Sequence, residues 1–172
     1  MTRDAETFFA LYRSSDAVDP AFGPYLLKEG VLNKDIDARL AISHRLLDDG
    51  VDVRGAQVLN TYMAYRIHDF EAEVPLLRRL LDEGADVMRV APKHGTPLEC
   101  LAAQFRYSDE TMMPFYEVLL SRPDFDPLGL GMSGRPVLTN IRKWRMKRET
   151  LVGMLEALLV ERGIEVPSDA EE

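Results

Sequence analysis

Cysteine is almost absent. Cys100 is the only one in 172 residues, which excludes an internal disulfide and a multi-cysteine zinc site. Long apolar runs are missing as well: nothing approaches the roughly 18 uninterrupted apolar residues that a membrane-spanning helix requires. The opening MTRDAETFFALYRSS carries acids and no apolar core, so no secretion signal is visible. Cytoplasm, with no membrane association, is the expected setting. Positive charge is short, with 21 basic against 29 acidic residues and a net charge of −8. That balance disfavours general binding to nucleic acid or anionic lipid and favours a basic partner. Lysine is scarcer still, 5 against 16 arginines, a bias that fits GC-rich coding DNA.

What is present is ordinary in amount, 46% hydrophobic and 29% charged residues, but unusual in its order. HRLLDDGVDV reaches Gly50, and RRLLDEGADV reaches Gly84, 34 residues later. EALLVERGIEV repeats the phrase at Gly163, and half of the 79-residue gap points to EVLLSRPDFDP, where Pro123 replaces the glycine. A second phrase keeps the same beat: Gly95-Thr96-Pro97-Leu98 is echoed 39 residues on by Gly134-Arg135-Pro136-Val137. Gly23-Pro24-Tyr25-Leu26 is a weaker echo, and GAQVL from Gly55 to Leu59 fills the remaining slot.

Each phrase has a physical reading. Glycine after a helix accepts the left-handed conformation without a Cβ clash, so Gly50, Gly84 and Gly163 are expected to end helices. Val51, Ala85 and Ile164 would close the apolar contact beyond them. Pro123 stops its helix because it has no N–H to donate. Pro97 and Pro136 fit a first helical turn, where the missing donor costs nothing. Val74, Leu77, Leu80 and Leu81, and likewise Leu151, Leu155, Leu158 and Leu159, form helical stripes. Polar links HDFEAE, RYSDET and KRET separate the first helix of each pair from the second.

Period, helix–loop–helix order and LLDEGADV…GTPL together resemble the ankyrin repeat family, most specifically over residues 78–103, within about residues 20 to 167. Glu99 stands where that family has histidine, and the later units are a few residues long. The resemblance implies an all-α solenoid: a half-repeat cap at residues 4–20, repeats at about 21–55, 56–92, 93–131 and 132–167, and a short acidic tail at 168–172. One domain of about nine helices is expected, each pair burying its neighbour's apolar side.

Chemistry is hard to find. GLGMSG, residues 129–134, matches Gly-x-Gly-x-x-Gly, but the preceding SRPDFDP carries two prolines and argues against the buried strand that a dinucleotide site needs. It reads as a turn in an inter-repeat finger. His44, His68 and His94 fall in a second helix, an inter-helix link and a finger, none at metal-ligand spacing. Cys100 reads as core packing, and Ser133 does not match Gly-x-Ser-x-Gly. No catalytic residue, metal or cofactor is expected, so the chain reads as a non-enzyme.

A partner protein is the expected ligand, met by a monomer. The resemblance implies that partners meet the concave side, made of loop fingers and first-helix faces. Aligning Leu59, Leu98 and Val137 sets Arg66, Phe105 and Trp144 in one column and Tyr65, Gln104 and Lys143 in the next. The fingers add Arg54, Arg89, Lys93, His94, Met132 and Arg135. Aromatics and arginines dominate binding hot spots, although Phe105 and Trp144 also suit packing between repeats. RKWRMKRE, residues 142–149, is either a solvated helix end or a contact that binds an acidic protein surface or stacks on a nucleotide. One specific version of protein binding is an immunity or inhibitor protein masking a basic toxin or enzyme. A small-ligand regulator or enzyme using the groove is the other class.

Overall fold

The computed structural model describes residues 4–54 and 57–168. Among them are ten α-helices, two 3₁₀ turns and no extended strand, and no helix is long and apolar enough to cross a membrane. Contacts divide the chain into two compact units, Met1–Asp86 and Val87–Glu172. The finger leading into residue 97 thus belongs with the second unit.

The first unit holds α1 (Ala5–Leu11), α2 (Ser14–Ala17), α3 (Phe22–Gly30), α4 (Ile36–Asp48), α5 (Val58–Met63) and α6 (Phe70–Asp82). The expected single cap helix is two. Arg13 is extended at φ −121°, ψ 137°, and Asp16 folds back to accept from its N–H, so the chain turns instead of continuing. Helix α3 begins at Phe22, which brings Leu27 rather than Leu26 into the core. Gly23 is there for proximity, because a Cβ would overlap the Ala17 carbonyl. Within this unit α3 packs on α4, α5 on α3 and α6 on α4. Gly55 and Ala56 of GAQVL lie outside the described residues.

The second unit holds α7 (Pro97–Ala102), α8 (Asp109–Leu120), α9 (Val137–Arg142) and α10 (Glu149–Glu161). Helix α7 packs on α9, α8 on α10, and α9 on α10. In both units, therefore, first helices meet first helices and second helices meet second. Two fingers precede α7 and α9, closed by single antiparallel bridges between Ala91 and Gly95 and between Leu130 and Pro136. Their tips hold Lys93 and Ser133 at positive φ, 67° and 60°.

The glycine stops form as expected. Gly50, Gly84 and Gly163 have φ of 90°, 102° and 70°. Each N–H donates to the carbonyl three residues back, at Leu47, Leu81 and Val160, and the next N–H reaches one five residues back, at Leu46, Leu80 and Leu159. Val51 and Ala85 are buried beyond their glycines, whereas Ile164 is 41% exposed. Helix α8 ends at Leu120, ahead of Pro123. Pro97 occupies a first turn behind Thr96, but Pro136 stands one residue earlier, just before α9. The alignment residues Leu59, Leu98 and Val137 are all buried. Of the tail, only Ser168 is described.

Candidate functional site

The first helices α5, α7 and α9 are only six residues long. Residues aligned beyond them therefore fall in the links to the second helices, not on a helix face. Tyr65 and Arg66 follow α5 in the first unit; Gln104 and Phe105 follow α7, and Lys143 and Trp144 follow α9, in the second. Each link is pinned by a network that includes a buried arginine.

In the first unit that arginine is Arg39 of α4, wholly buried. Its Nε and Nη2 donate to the Asn33 carbonyl at 2.9 and 2.6 Å, and Nη1 donates to the Ile67 carbonyl at 2.9 Å and pairs with Glu73. Glu73 also accepts from the Tyr62 hydroxyl at 3.0 Å and the Asp69 N–H at 2.9 Å, and lies 3.0 Å from His68 Nδ1. Burial pushes the Glu73 carboxyl up, but His68 and Arg39 outweigh it and hold it below its usual value. Burial first, then Glu73, pushes the Tyr62 hydroxyl well above its usual value. The Arg39 guanidinium sits 4.9 Å from the Tyr65 ring centre, so the same network that fixes residues 62–73 also fixes this half-buried aromatic.

The second unit uses Arg148 in the same way. Its side chain is 1% exposed. Nε donates to the Ala102 carbonyl at 2.7 Å and Nη1 to the Tyr107 carbonyl at 3.0 Å, with Asp109 Oδ1 3.4 Å away. Asp109 accepts from the buried Tyr116 hydroxyl at 3.1 Å and from the Leu151 N–H at 3.2 Å. Helices α4, α6 and α8 are capped locally by Asp35, Asp69 and Ser108. Helix α10 has Arg148 at the cap with no side-chain bond to its own N–H groups, and Asp109 supplies the missing acceptor from α8. Arg148 lies 5.5 Å from the Phe105 ring centre.

A third buried group joins the fingers to the helices. Glu99, wholly buried, caps α7 by accepting from the Thr96 N–H at 2.6 Å. It also accepts from the Met132 N–H at 3.0 Å and from Asn140 Nδ2 at 2.7 Å. The carboxylate at the position of the expected histidine thus ties α7 to the next finger and to α9.

The aligned residues fare differently. Phe105 and Trp144 meet edge to face, ring centres 5.7 Å apart at 82°, with Phe105 51% exposed and Trp144 half-buried. Lys143 is exposed beside them, its Nζ donating to Asn140 Oδ1 at 3.1 Å. Gln104 departs from the expectation of a contact residue: it is 9% exposed, because the chain turns inward where its N–H bonds the Leu101 carbonyl. Arg66 is exposed and belongs to the first unit, as does exposed Arg54. Arg89, Lys93, His94 and Arg135 are exposed around the two fingers of the second unit, with Met132 half-buried.

The basic run is not one surface. Arg148 is internal, and Arg142, 8% exposed in its side chain, pairs with Glu156 at 3.0 Å and donates to the Pro167 carbonyl at 2.8 Å. Arg145 shares Glu156 at 2.9 Å. Sequence reasoning missed the buried roles of Arg39, Glu73, Glu99 and Asp109. A signal existed: Arg39, Ile42, Ser43 and Leu46, like Glu73, Leu76, Leu77 and Leu80, put a charge inside a buried stripe at helical spacing.

His44 lies in α4, and burial followed by Arg79 lowers its pKa. His68 is in the link before α6 and His94 in a finger; Cys100 is buried in α7. Among the described residues no group of three His, Cys, Asp or Glu side chains could hold a metal ion. No family model, curated protein or solved structure matches this chain.

Proposed function

We propose that this chain is a non-catalytic protein-binding module built from ankyrin-like helix pairs. Its contact residues lie on the links after the first helices and on the fingers. The observation that carries this reading is the Phe105–Trp144 pair, partly open to solvent yet held in a fixed geometry. The ring of Phe105 is backed by a guanidinium that is itself locked to Asp109, Ala102 and Tyr107. A rigid, half-exposed aromatic loses little entropy when a partner covers it, which is what a binding hot spot requires. The titratable cluster richest in acid–base chemistry, Tyr62–Glu73–His68, has His68 and Glu73 side chains at 0% exposure and its carboxylate engaged by Arg39. That supports a structural use.

A specific form of this reading is an inhibitor or immunity protein that masks a basic partner. It is favoured by the uneven acidity: residues 1–86 carry sixteen acidic and ten basic residues, net −6, against thirteen and eleven, net −2, in residues 87–172.

The experiment is affinity capture from the source cell followed by titration of the recovered partner. A stoichiometric protein whose affinity drops at least about tenfold in the Phe105→Ala and Trp144→Ala variants, with helicity intact, supports the reading. Arg66→Ala tests the first unit separately. Absence of any stoichiometric protein, together with stabilisation or turnover of a metabolite, overturns it.

A further inference from the structure

Helix α10 is apolar on two sides. Leu151, Val152, Leu155 and Leu159 are buried on the inner one, where the helix meets α8 and α9. The other is open: between Glu149 and Glu161 the exposed residues are Thr150, Gly153, Ala157 and Val160, none of them charged. The other long second helices differ. Arg45 and Asp48 stand exposed on α4, Arg78 and Asp82 on α6, and Glu110 and Glu117 on α8. Val160 is 67% exposed, and among the described residues nothing lies within 4 Å of where a Cβ on Gly153 would stand. A helix apolar on both sides is one that is covered on both.

The open side has the spacing of a helix seam. Thr150, Gly153, Ala157 and Val160 recur at three and four residues, the period at which two helices pack along their length. The seam is also self-complementary. In an antiparallel pair Gly153 lies across from Ala157, small against small, and in the same register Thr150 lies across from Val160. Glu156 flanks the seam, but Arg142 and Arg145 of its own chain hold it at 3.0 and 2.9 Å.

The charges at the two ends of α10 select the occupant. Lys147 and Glu149 are exposed at its start, Glu161 and Arg162 at its end. Among the described residues none of the four has an ion-pair partner, and Arg162 donates only to the Phe125 carbonyl. Each end therefore carries one charge of each sign, which prefers neither an acidic nor a basic partner. A second copy running antiparallel answers both. The register that sets Gly153 against Ala157 brings Lys147 level with Glu161 of the copy and Glu149 level with its Arg162, each pairing occurring twice. The opposed helix dipoles act in the same direction.

We infer that this chain self-associates through α10, two copies pairing antiparallel along Thr150, Gly153, Ala157 and Val160. One 13-residue helix per copy makes a small interface, so the dimer is weak and reversible, with a Kd on the order of 10–100 µM. The expected monomer is then the dilute form. The inference stands apart from the protein-binding reading.

Sedimentation velocity of the full chain between about 1 µM and 1 mM should show a reversible monomer–dimer equilibrium. Ala157→Glu, at an exposed helical position, should raise the Kd at least about tenfold without altering the circular dichroism, because it buries carboxylates in the seam of both copies. Gly153→Glu, which removes a helix-weakening glycine from an open position, should do the same. Lys147→Glu and Glu161→Lys alone should each raise the Kd about threefold, and the double reversal should restore it, since every crossed pair is again opposite in sign. A chain that stays monomeric up to about 1 mM, or a dimer indifferent to both glutamate variants, overturns the inference. Single reversals without effect, or a double reversal that fails to restore association, overturn it as well.

Discussion

Arg39 and Glu73, 34 residues apart in the chain, form an ion pair from which water is wholly excluded. The pair joins α4 to α6, the second helices of two successive helix pairs. Two charges so deeply buried are tolerable only because their remaining bonding positions are filled, by the Asn33 and Ile67 carbonyls on one side and by Tyr62, His68 and Asp69 on the other.

Removing one partner leaves the other buried and uncompensated. Arg39→Met is therefore expected to destabilise the protein by about 3–5 kcal/mol. The double variant Arg39→Met, Glu73→Leu should recover only part of that loss, since it removes the unpaired charge but leaves the Asn33 and Ile67 carbonyls, the Tyr62 hydroxyl and the Asp69 N–H without these partners. Urea denaturation followed by circular dichroism gives both values; a double variant no more stable than Arg39→Met would contradict the account.

The same carboxylate sets a pH dependence. The folded state holds the Glu73 pKa below its unfolded value, so the stabilisation it provides is fully present above the unfolded pKa of about 4.3 and is lost as pH falls through the folded value. The lowered His44 pKa acts in the same direction at higher pH: stability falls as pH drops through and below about 6.5, where the unfolded state takes up the proton first. Denaturation midpoints should decline in two stages on acidification, and Glu73→Gln should reduce the lower one, which Asp49 and Asp52 share, while leaving the upper one in place.

Glu99 accepts bonds from Thr96, Met132 and Asn140 in a site with no water access. Glu99→Ala is expected to cost at least about 2 kcal/mol, because it orphans donors of a finger and of α9 together. Gly131→Ala should also destabilise, since a Cβ there runs into the Glu99 carboxylate. Gly163→Ala is the comparison: nothing lies near its Cβ, and only the left-handed backbone at φ 70° is penalised, about 1–2 kcal/mol. Thermal melts of the three variants check the order.

Ser43 tests the opposite sign. Its side chain is wholly buried in α4 and its hydroxyl has no hydrogen-bond partner among the described residues. Ser43→Ala should raise stability by about 1 kcal/mol, read from the urea midpoint, because a buried polar group without a partner is removed.

Helix ends and helix order were legible in the residues themselves. Gly50, Gly84 and Gly163 end helices through local backbone geometry, Thr96-Pro97 starts one, and the leucine stripes give most of the buried faces, with Val74 and Leu158 only half-buried. The juxtaposition of Phe105 and Trp144 was legible too, because residues 39 apart in a repeating chain take equivalent positions on neighbouring pairs. Less was readable at Gln104, where a turn of one residue decides between inside and outside.

Local rules and spacing, then, determined where this chain folds into helices and where those helices stop, since caps, proline and left-handed glycine act within a few residues. Tertiary structure decided which charges find buried partners. Arg148 and Lys147 are neighbours in one basic run, yet one is 1% exposed and the other open to solvent. The difference comes from acceptors more than 38 residues away, at Ala102, Tyr107 and Asp109. A guanidinium enters a core only where such acceptors have already been brought together; a charge inside an apolar stripe hints at burial, but no local pattern shows those acceptors.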